Sequence, residues 1–348
     1  GSSDMFLSSI SATYQLCEVE ADGSSPVKVI TQGDHDINAF SLGGKNTVVA
    51  EMTTISSPTE LYSVDIKDGK MERITNTNAE IYDNIKMGEV RKRMVTTTDG
   101  KQMLTWVILP PDFDENKKYP TLLYCQGGPQ SVVSQFWSYR WNFQAMAAQG
   151  YIVVAPNRRG LPSFGQEWLD QISGDYSGQN IKDYLSAIDD VATENFVDKD
   201  RLGCVGASYG GYSAFFLAGN HQKRFKAFIA HCGMFNFESM YGATEELWFP
   251  NNDMKGSYWS EDAVAKRTFA NSPHKFVQNW DTPILIITGA KDYRIPYTES
   301  LQAFTAARLM GVPSRLLFFE NEGHQVFQPQ NAIVWHTEFY NWLDKYLK

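Results

Sequence analysis

The sequence predicts an α/β fold with a largely parallel sheet, preceded by a short all-β segment. Three observations predict it. Continuous runs of β-branched, aromatic and other apolar residues recur at 104–109, 121–125, 151–155, 202–206, 226–231, 283–288 and 315–320. Runs without polar alternation belong to strands covered on both faces, as in a parallel sheet between helices. Helix-periodic stretches fill the gaps, so strand and helix alternate over about 260 residues. Apolar residues make up 43% of the 348-residue chain, enough to bury one large core or two ordinary ones.

Residues 4–85 read differently, as short strands punctuated by turns at Ala21-Asp22-Gly23, Leu42-Gly43-Gly44-Lys45 and Lys67-Asp68-Gly69-Lys70. The stretch 57–65, followed by Gly69 and 73–75, resembles an outer hairpin of a β-propeller blade. About eighty residues make one or two blades, and a propeller needs several. The expectation is therefore a C-terminal propeller fragment over 1–85 and an α/β domain over 86–348. Gly1-Ser2-Ser3 reads as the scar of a cleaved expression tag.

Further along, the strand 104–109 stops at Pro110-Pro111. Ile181, Tyr184, Leu185, Ile188 and Val191 share one helical face between Asn180 and Phe196. A helix over 297–310 starts after Pro296 and stops at Gly311. Another, over 331–347, carries the stripe Trp335, Phe339, Trp342 and Leu343.

Composition narrows the function classes. A net charge of −9 argues against nucleic acid as a main partner. No apolar run reaches 18 residues, so no membrane-spanning helix is expected. Cys17, Cys125, Cys204 and Cys232 lack metal-site spacing and read as free, buried thiols. Neither cofactor nor metal is called for. The compartment stays open between periplasmic or secreted and cytoplasmic.

The chemistry centres on Gly206-Ala207-Ser208-Tyr209-Gly210, a G-x-S-x-G pattern between the apolar run 201–205 and the buried-helix pattern 212–218. Strand, turn and helix in that order form a nucleophile elbow of the α/β-hydrolase kind, with Ser208 at its tip. The tight turn needs small neighbours, and Gly206 and Gly210 supply them. A serine hydroxyl needs a positioned base, and this fold uses the chain order Ser, acid, His. Strand 284–289 feeds Asp292, and strand 315–320 feeds His324. Both emerge at the sheet edge that presents Ser208, where open α/β sheets place their sites. Asp281 precedes its strand and lies at the wrong end. His221 reads as a surface residue closing the elbow helix. A histidine base predicts kcat/KM rising with an apparent pKa of roughly 6.5–7.5. The oxyanion hole draws on the N–H of Tyr209 and on the loop Gln126-Gly127-Gly128-Pro129.

These residues carry a resemblance. Ser208-Tyr209-Gly210-Gly211-Tyr212, Gln126-Gly127-Gly128-Pro129, Asn157-Arg158-Arg159-Gly160, Gly289 with Asp292, and Glu322-Gly323-His324 together resemble the prolyl oligopeptidase family of serine peptidases. The similarity runs from about residue 58 to the C-terminus. It implies an α/β-hydrolase domain beneath a β-propeller and the triad Ser208, Asp292 and His324. Tyr209 and Gly128 would be the oxyanion donors, with Gln126 standing where other branches carry Tyr or His. It also implies a wall for the residue before the cleaved bond (the P1 residue) running from Cys232 to Tyr241. Phe235 and Tyr241 would line it, Ile295 would add an apolar contact, and Arg294 would bind a substrate carbonyl. Acids that hold a substrate's free amine would lie in the propeller, outside this chain, and Glu245-Glu246 reads as peripheral. The implied substrates are oligopeptides, cleaved as dipeptides from the N-terminus; an acylaminoacyl peptidase or carboxylesterase uses the same triad. A homodimer through the hydrolase domain is left open. The reading of another class is a non-catalytic interaction module.

Overall fold

A computed structural model describes residues 3–348. The chain opens with β1 (Ser3–Ile10), β2 (Thr13–Glu20), β3 (Lys28–Val29), β4 (Asp36–Leu42), β5 (Thr47–Thr54), β6 (Ser57–Asp65) and β7 (Met71–Arg73). Strands β4 to β7 form an antiparallel meander, and β1–β3 form a second one. They join where Tyr14 of β2 pairs, parallel, with Asp36 of β4. Alternation along the strands buries Leu16, Ile37, Val48, Ala50 and Val64 in one small core. A single helical turn, α1 (Ala79–Tyr82), leads out of this part.

The second sheet has eight strands. In chain order these are β8 (Val90–Thr96), β9 (Gln102–Ile108), β10 (Tyr119–Cys125), β11 (Ile152–Pro156), β12 (Val197–Ala207), β13 (Ala227–His231), β14 (Ile284–Gly289) and β15 (Ser314–Phe319). Their spatial order is β15-β14-β13-β12-β10-β11-β9-β8. Strands β11, β10, β12, β13, β14 and β15 run parallel, and β9 runs antiparallel to both its neighbours, β11 and β8. Strands β11, β13 and β14 are buried at every position, as their unbroken apolar runs predict. Strand β8 has no such signature. Its sequence Val-Arg-Lys-Arg-Met-Val-Thr lies at the sheet edge, largely in solvent.

Helices cover both faces. They are α2 (Phe143–Ala148), α3 (Gln166–Asp170), α4 (Gln179–Val191), α5 (Tyr209–Ala218), α6 (Phe237–Ala243), α7 (Trp248–Asp253), α8 (Ala263–Ala270), α9 (Tyr297–Leu309) and α10 (Pro329–Leu347). None is long and apolar enough to cross a membrane. The central one is α5, in which all ten residues are buried. It follows β12 through Ser208 and packs under β12 and β13, which demands close approach. A Cβ on Gly210 would stand 2.0 Å from the Cys125 carbonyl oxygen, and one on Gly206 would stand 2.5 Å from that of Gly210. Both obstacles are backbone, so neither can swing aside. The Gly210→Ala variant is therefore expected to lose about 1–3 kcal/mol or more. The midpoint of urea unfolding, compared with the wild type, checks this.

Candidate active site

Ser208 sits between β12 and α5 with φ 59° and ψ −119°. A non-glycine residue in that region is strained, and the strain persists because strand and helix are both fixed by burial. Its N–H donates to the His231 carbonyl at 2.9 Å, which ties the turn to β13. The loop after β14 brings Asp292, and the loop after β15 brings His324. His324 Nε2 lies 2.9 Å from Ser208 Oγ, and His324 Nδ1 lies 2.7 Å from Asp292 Oδ2. Both distances are hydrogen-bond lengths for a nucleophile, a base and the group that orients the base.

The surroundings hold each member in place. Asp292 is buried, and its Oδ1 accepts from the N–H groups of Arg294 and Ile295 at 3.1 and 2.9 Å. Its Oδ2 is thereby aimed at the imidazole. The His324 loop is anchored by Glu322, which accepts from the N–H groups of Phe327 and Gln328 and from the Asn331 amide. Burial works against the Glu322 anion, but these donors outweigh it and hold the carboxyl below its usual range.

For His324 the opposing influences end the other way. Burial disfavours the charged ring, whereas the Cys232 sulfur and the Asp292 carboxylate favour it, so its pKa is raised. The rising limb of kcat/KM is therefore expected at higher pH than the ordinary imidazole range. Removing the carboxylate should undo part of this. In Asp292→Asn the imidazole is expected to titrate at lower pH than in the wild type, as followed by NMR of its ring protons.

Tyr209 and Gly128 both line the cavity in front of Ser208. Neither N–H is engaged with a backbone acceptor, so both are available to a developing oxyanion. The loop that carries Gly128 is held from beneath by Arg158, which is completely buried. Its guanidinium donates to the carbonyls of Pro129 and Gln126 at 2.8 and 3.2 Å and lies 4.7 Å from the Tyr209 ring. It thus touches both the loop of Gly128 and the ring of Tyr209. Gln126, at the position in question for a side-chain donor, turns its amide inward. Its Oε1 accepts from Tyr124 Oη and its Nε2 donates to the Val132 carbonyl.

The cavity measures about 500 Å³. Cys232, Arg294 and Ile295 line it, but Phe235 and Tyr241 do not. The Phe235 N–H is drawn to Glu299 on α9, and its ring packs against Phe215 and Trp280. The Tyr241 hydroxyl donates to Asn251, and its ring packs among Tyr258, Trp259 and Phe269. Their place is taken by Met234, Trp248 and Phe249, which sequence spacing did not single out. Glu246 is not peripheral: it faces the cavity and pairs with Arg294 at 3.0 Å. His221 is likewise buried rather than exposed, with Nδ1 accepting from the Phe225 N–H. The ligand atoms of Cys232, Asp292 and His324 lie within 4.8 Å of one another, although spacing gave no metal signal. Two of the three are already committed to each other by the 2.7 Å hydrogen bond.

Strand order, elbow and the positions of Asp292 and His324 define an α/β hydrolase. The chain belongs to the prolyl oligopeptidase family, whose sequence profile matches residues 137–348. It is 53% identical over 344 residues to dipeptidyl-peptidase 5 of Porphyromonas gingivalis, an alignment covering 99% of this chain and 50% of that protein. Dipeptidyl-peptidase 5 of Porphyromonas endodontalis is 51% identical over 346 residues, again covering 99% and 50%. The chain thus spans about half the length of these curated relatives. Among solved structures, the Pyrococcus horikoshii acylaminoacyl peptidase superposes with a TM-score of 0.88 at 24% identity, over 99% of this chain and 55% of that one. Porphyromonas gingivalis dipeptidyl peptidase 4 superposes with a TM-score of 0.81 at 18% identity, over 99% and 48%.

Proposed function

We propose that this chain carries the catalytic machinery of a serine peptidase that releases dipeptides from peptide N-termini. The observation that carries the reading is the chain of contacts from Ser208 through His324 to Asp292, at 2.9 and 2.7 Å. Ser208 Oγ attacks the scissile carbonyl while His324 Nε2 takes its proton. The N–H groups of Tyr209 and Gly128 hold the oxyanion. His324 returns the proton to the departing amine, and water then hydrolyses the acyl-enzyme by the same route. Asp292 keeps the imidazole oriented and stabilises its charged form. Cys232, Arg294 and Ile295 contact the substrate. Similarity to the two dipeptidyl-peptidase 5 proteins supports the dipeptidyl specificity. In the same reading, residues 1–85 are the last part of a β-propeller and residues 86–348 the catalytic domain. The four-stranded β4–β7 meander, the form of a propeller blade, supports that division.

The site residues stand or fall together. Ser208→Ala and His324→Ala are each expected to lower kcat by about 10⁴-fold or more, because triad members act as a unit. Activity within tenfold of wild type in either variant would overturn the assignment. A fluorophosphonate probe is expected to label the wild type and not Ser208→Ala; an idle interaction module would label in neither.

Specificity is checked separately, by comparing chromogenic Gly-Phe and acetyl-Ala substrates. Faster cleavage of the first supports dipeptide release, and faster cleavage of the second an acylaminoacyl peptidase. The base must be neutral to act, and its pKa is raised. The kcat/KM profile is therefore expected to climb at higher pH than an isolated imidazole would give, and to descend toward acid.

A further inference from the structure

The charges lining the cavity do not balance. Besides His324, three charged side chains face it: Arg140, Arg294 and Glu246. Glu246 is committed to Arg294 at 3.0 Å. Arg140 has no carboxylate partner among the described residues. Of its five N–H donors, one reaches Gln325 Oε1 at 3.1 Å and one approaches His231 Nδ1 at 3.5 Å; its guanidinium also lies 5.9 Å from the Trp141 ring. Burial presses its pKa below the ordinary value, so the charge is held where water only partly compensates it. Arg158, also without a carboxylate, differs in kind: carbonyls and the Tyr184 hydroxyl surround its guanidinium. A half-enclosed guanidinium facing a cleft, with donors to spare, is the arrangement that receives an anion.

Its position says which part of a substrate would supply that anion. The departing nitrogen must come within hydrogen-bond reach of His324 Nε2 to collect its proton. Gln325 is the next residue in the chain, and its side chain holds Arg140. Arg140 is thereby tied to the loop that presents the base to the leaving group. It also borders a second cavity, of about 430 Å³, whose apolar lining includes Val326, Phe327 and Trp335.

We propose that Arg140 binds a carboxylate of the departing peptide, so that the protein favours substrates whose leaving group is anionic close to the cleaved bond. The proposal rests on the peptidase reading above. Two sources share this chemistry. One is the C-terminal carboxylate of a leaving group only one or two residues long, and the other is an acidic side chain on the first leaving residue.

The test uses the intact protein and two matched substrate pairs: Gly-Phe-Ala against its C-terminal amide, and Gly-Phe-Asp-amide against Gly-Phe-Asn-amide. A charge-assisted contact predicts that the anionic member is favoured in kcat/KM by roughly tenfold to a hundredfold. Preference in the first pair assigns the terminal carboxylate, and preference in the second the side chain. The Arg140→Met variant is expected to lose that preference, and Arg140→Lys to keep part of it. A dipeptidyl methylcoumarylamide, with its neutral leaving group, is the reference that separates lost anion binding from general damage. Absence of preference in the wild type for either pair overturns the proposal, as when an acid elsewhere in the intact protein already occupies the guanidinium. Equal loss on all substrates in Arg140→Met also overturns it.

If the wild type cleaves none of these peptides, the peptidase reading fails instead, and calorimetric titration with Ala-Ala and its amide decides the anion site. Tighter binding of the free acid that disappears in Arg140→Met sustains it; equal or undetectable binding of the two overturns it.

Discussion

The rest of the site depends on one constraint, the left-handed backbone at Ser208. A serine at φ 59° is held there only because the residues on either side cannot move. Strand β12 is pinned between β10 and β13, and α5 is buried along its whole length. The turn between them therefore has no room for a relaxed path. Its reward is geometric. Ser208 faces the cavity, Tyr209 at the start of α5 lines the same space, and the ends of β13, β14 and β15 bring their loops alongside.

Those loops are irregular, and irregular backbone is positioned by buried polar groups instead of by ladders. Each approach to Ser208 has such an anchor. Arg158 holds the loop at 126–129, and Glu299 holds the turn at 235–236. The N–H groups of residues 294 and 295 hold Asp292, and Glu322 holds the loop of His324. Breaking one partner of a buried charged contact is costly, so these anchors leave the reacting atoms little freedom. Glu299 shows the price of burial: desolvation raises its pKa to about 7 despite three hydrogen bonds.

The all-β part reaches the same region. Asp36 accepts from the Ser134 hydroxyl and the Gln135 N–H, at 2.5 and 3.1 Å, and Gln135 in turn accepts from the Ile55 N–H. Residues 131–135 follow closely on the glycine loop at 126–129, which lines the cavity at Ser208. Tyr124, Gln126, Ser131 and Trp141 line both the cavity at Ser208 and a third one that extends to Tyr14, Asp36 and Asn38. The β strands thus form part of the wall beside the cleft.

By itself the sequence determined the features that depend on short-range pattern. Continuous apolar runs marked seven of the eight strands of the large sheet, because strands covered on both faces leave no polar alternation. The glycines at 206 and 210, with the order Ser208, Asp292, His324, marked the elbow and the loop ends, since backbone sterics admit few residue types there. Only the tertiary structure decided which side chains face the cleft. Phe235 and Tyr241 were aromatic and near in sequence, yet a hydrogen bond to Glu299 and a cluster around Phe269 turn them into the core. Glu246 and Arg140 carried no local signal, and they enter the cavity because helices and loops distant in sequence converge there. The raised pKa of His324 belongs to the same category. It comes from groups 32 and 92 residues away in sequence, and electrostatics acts through distance in space, which spacing along a chain does not record.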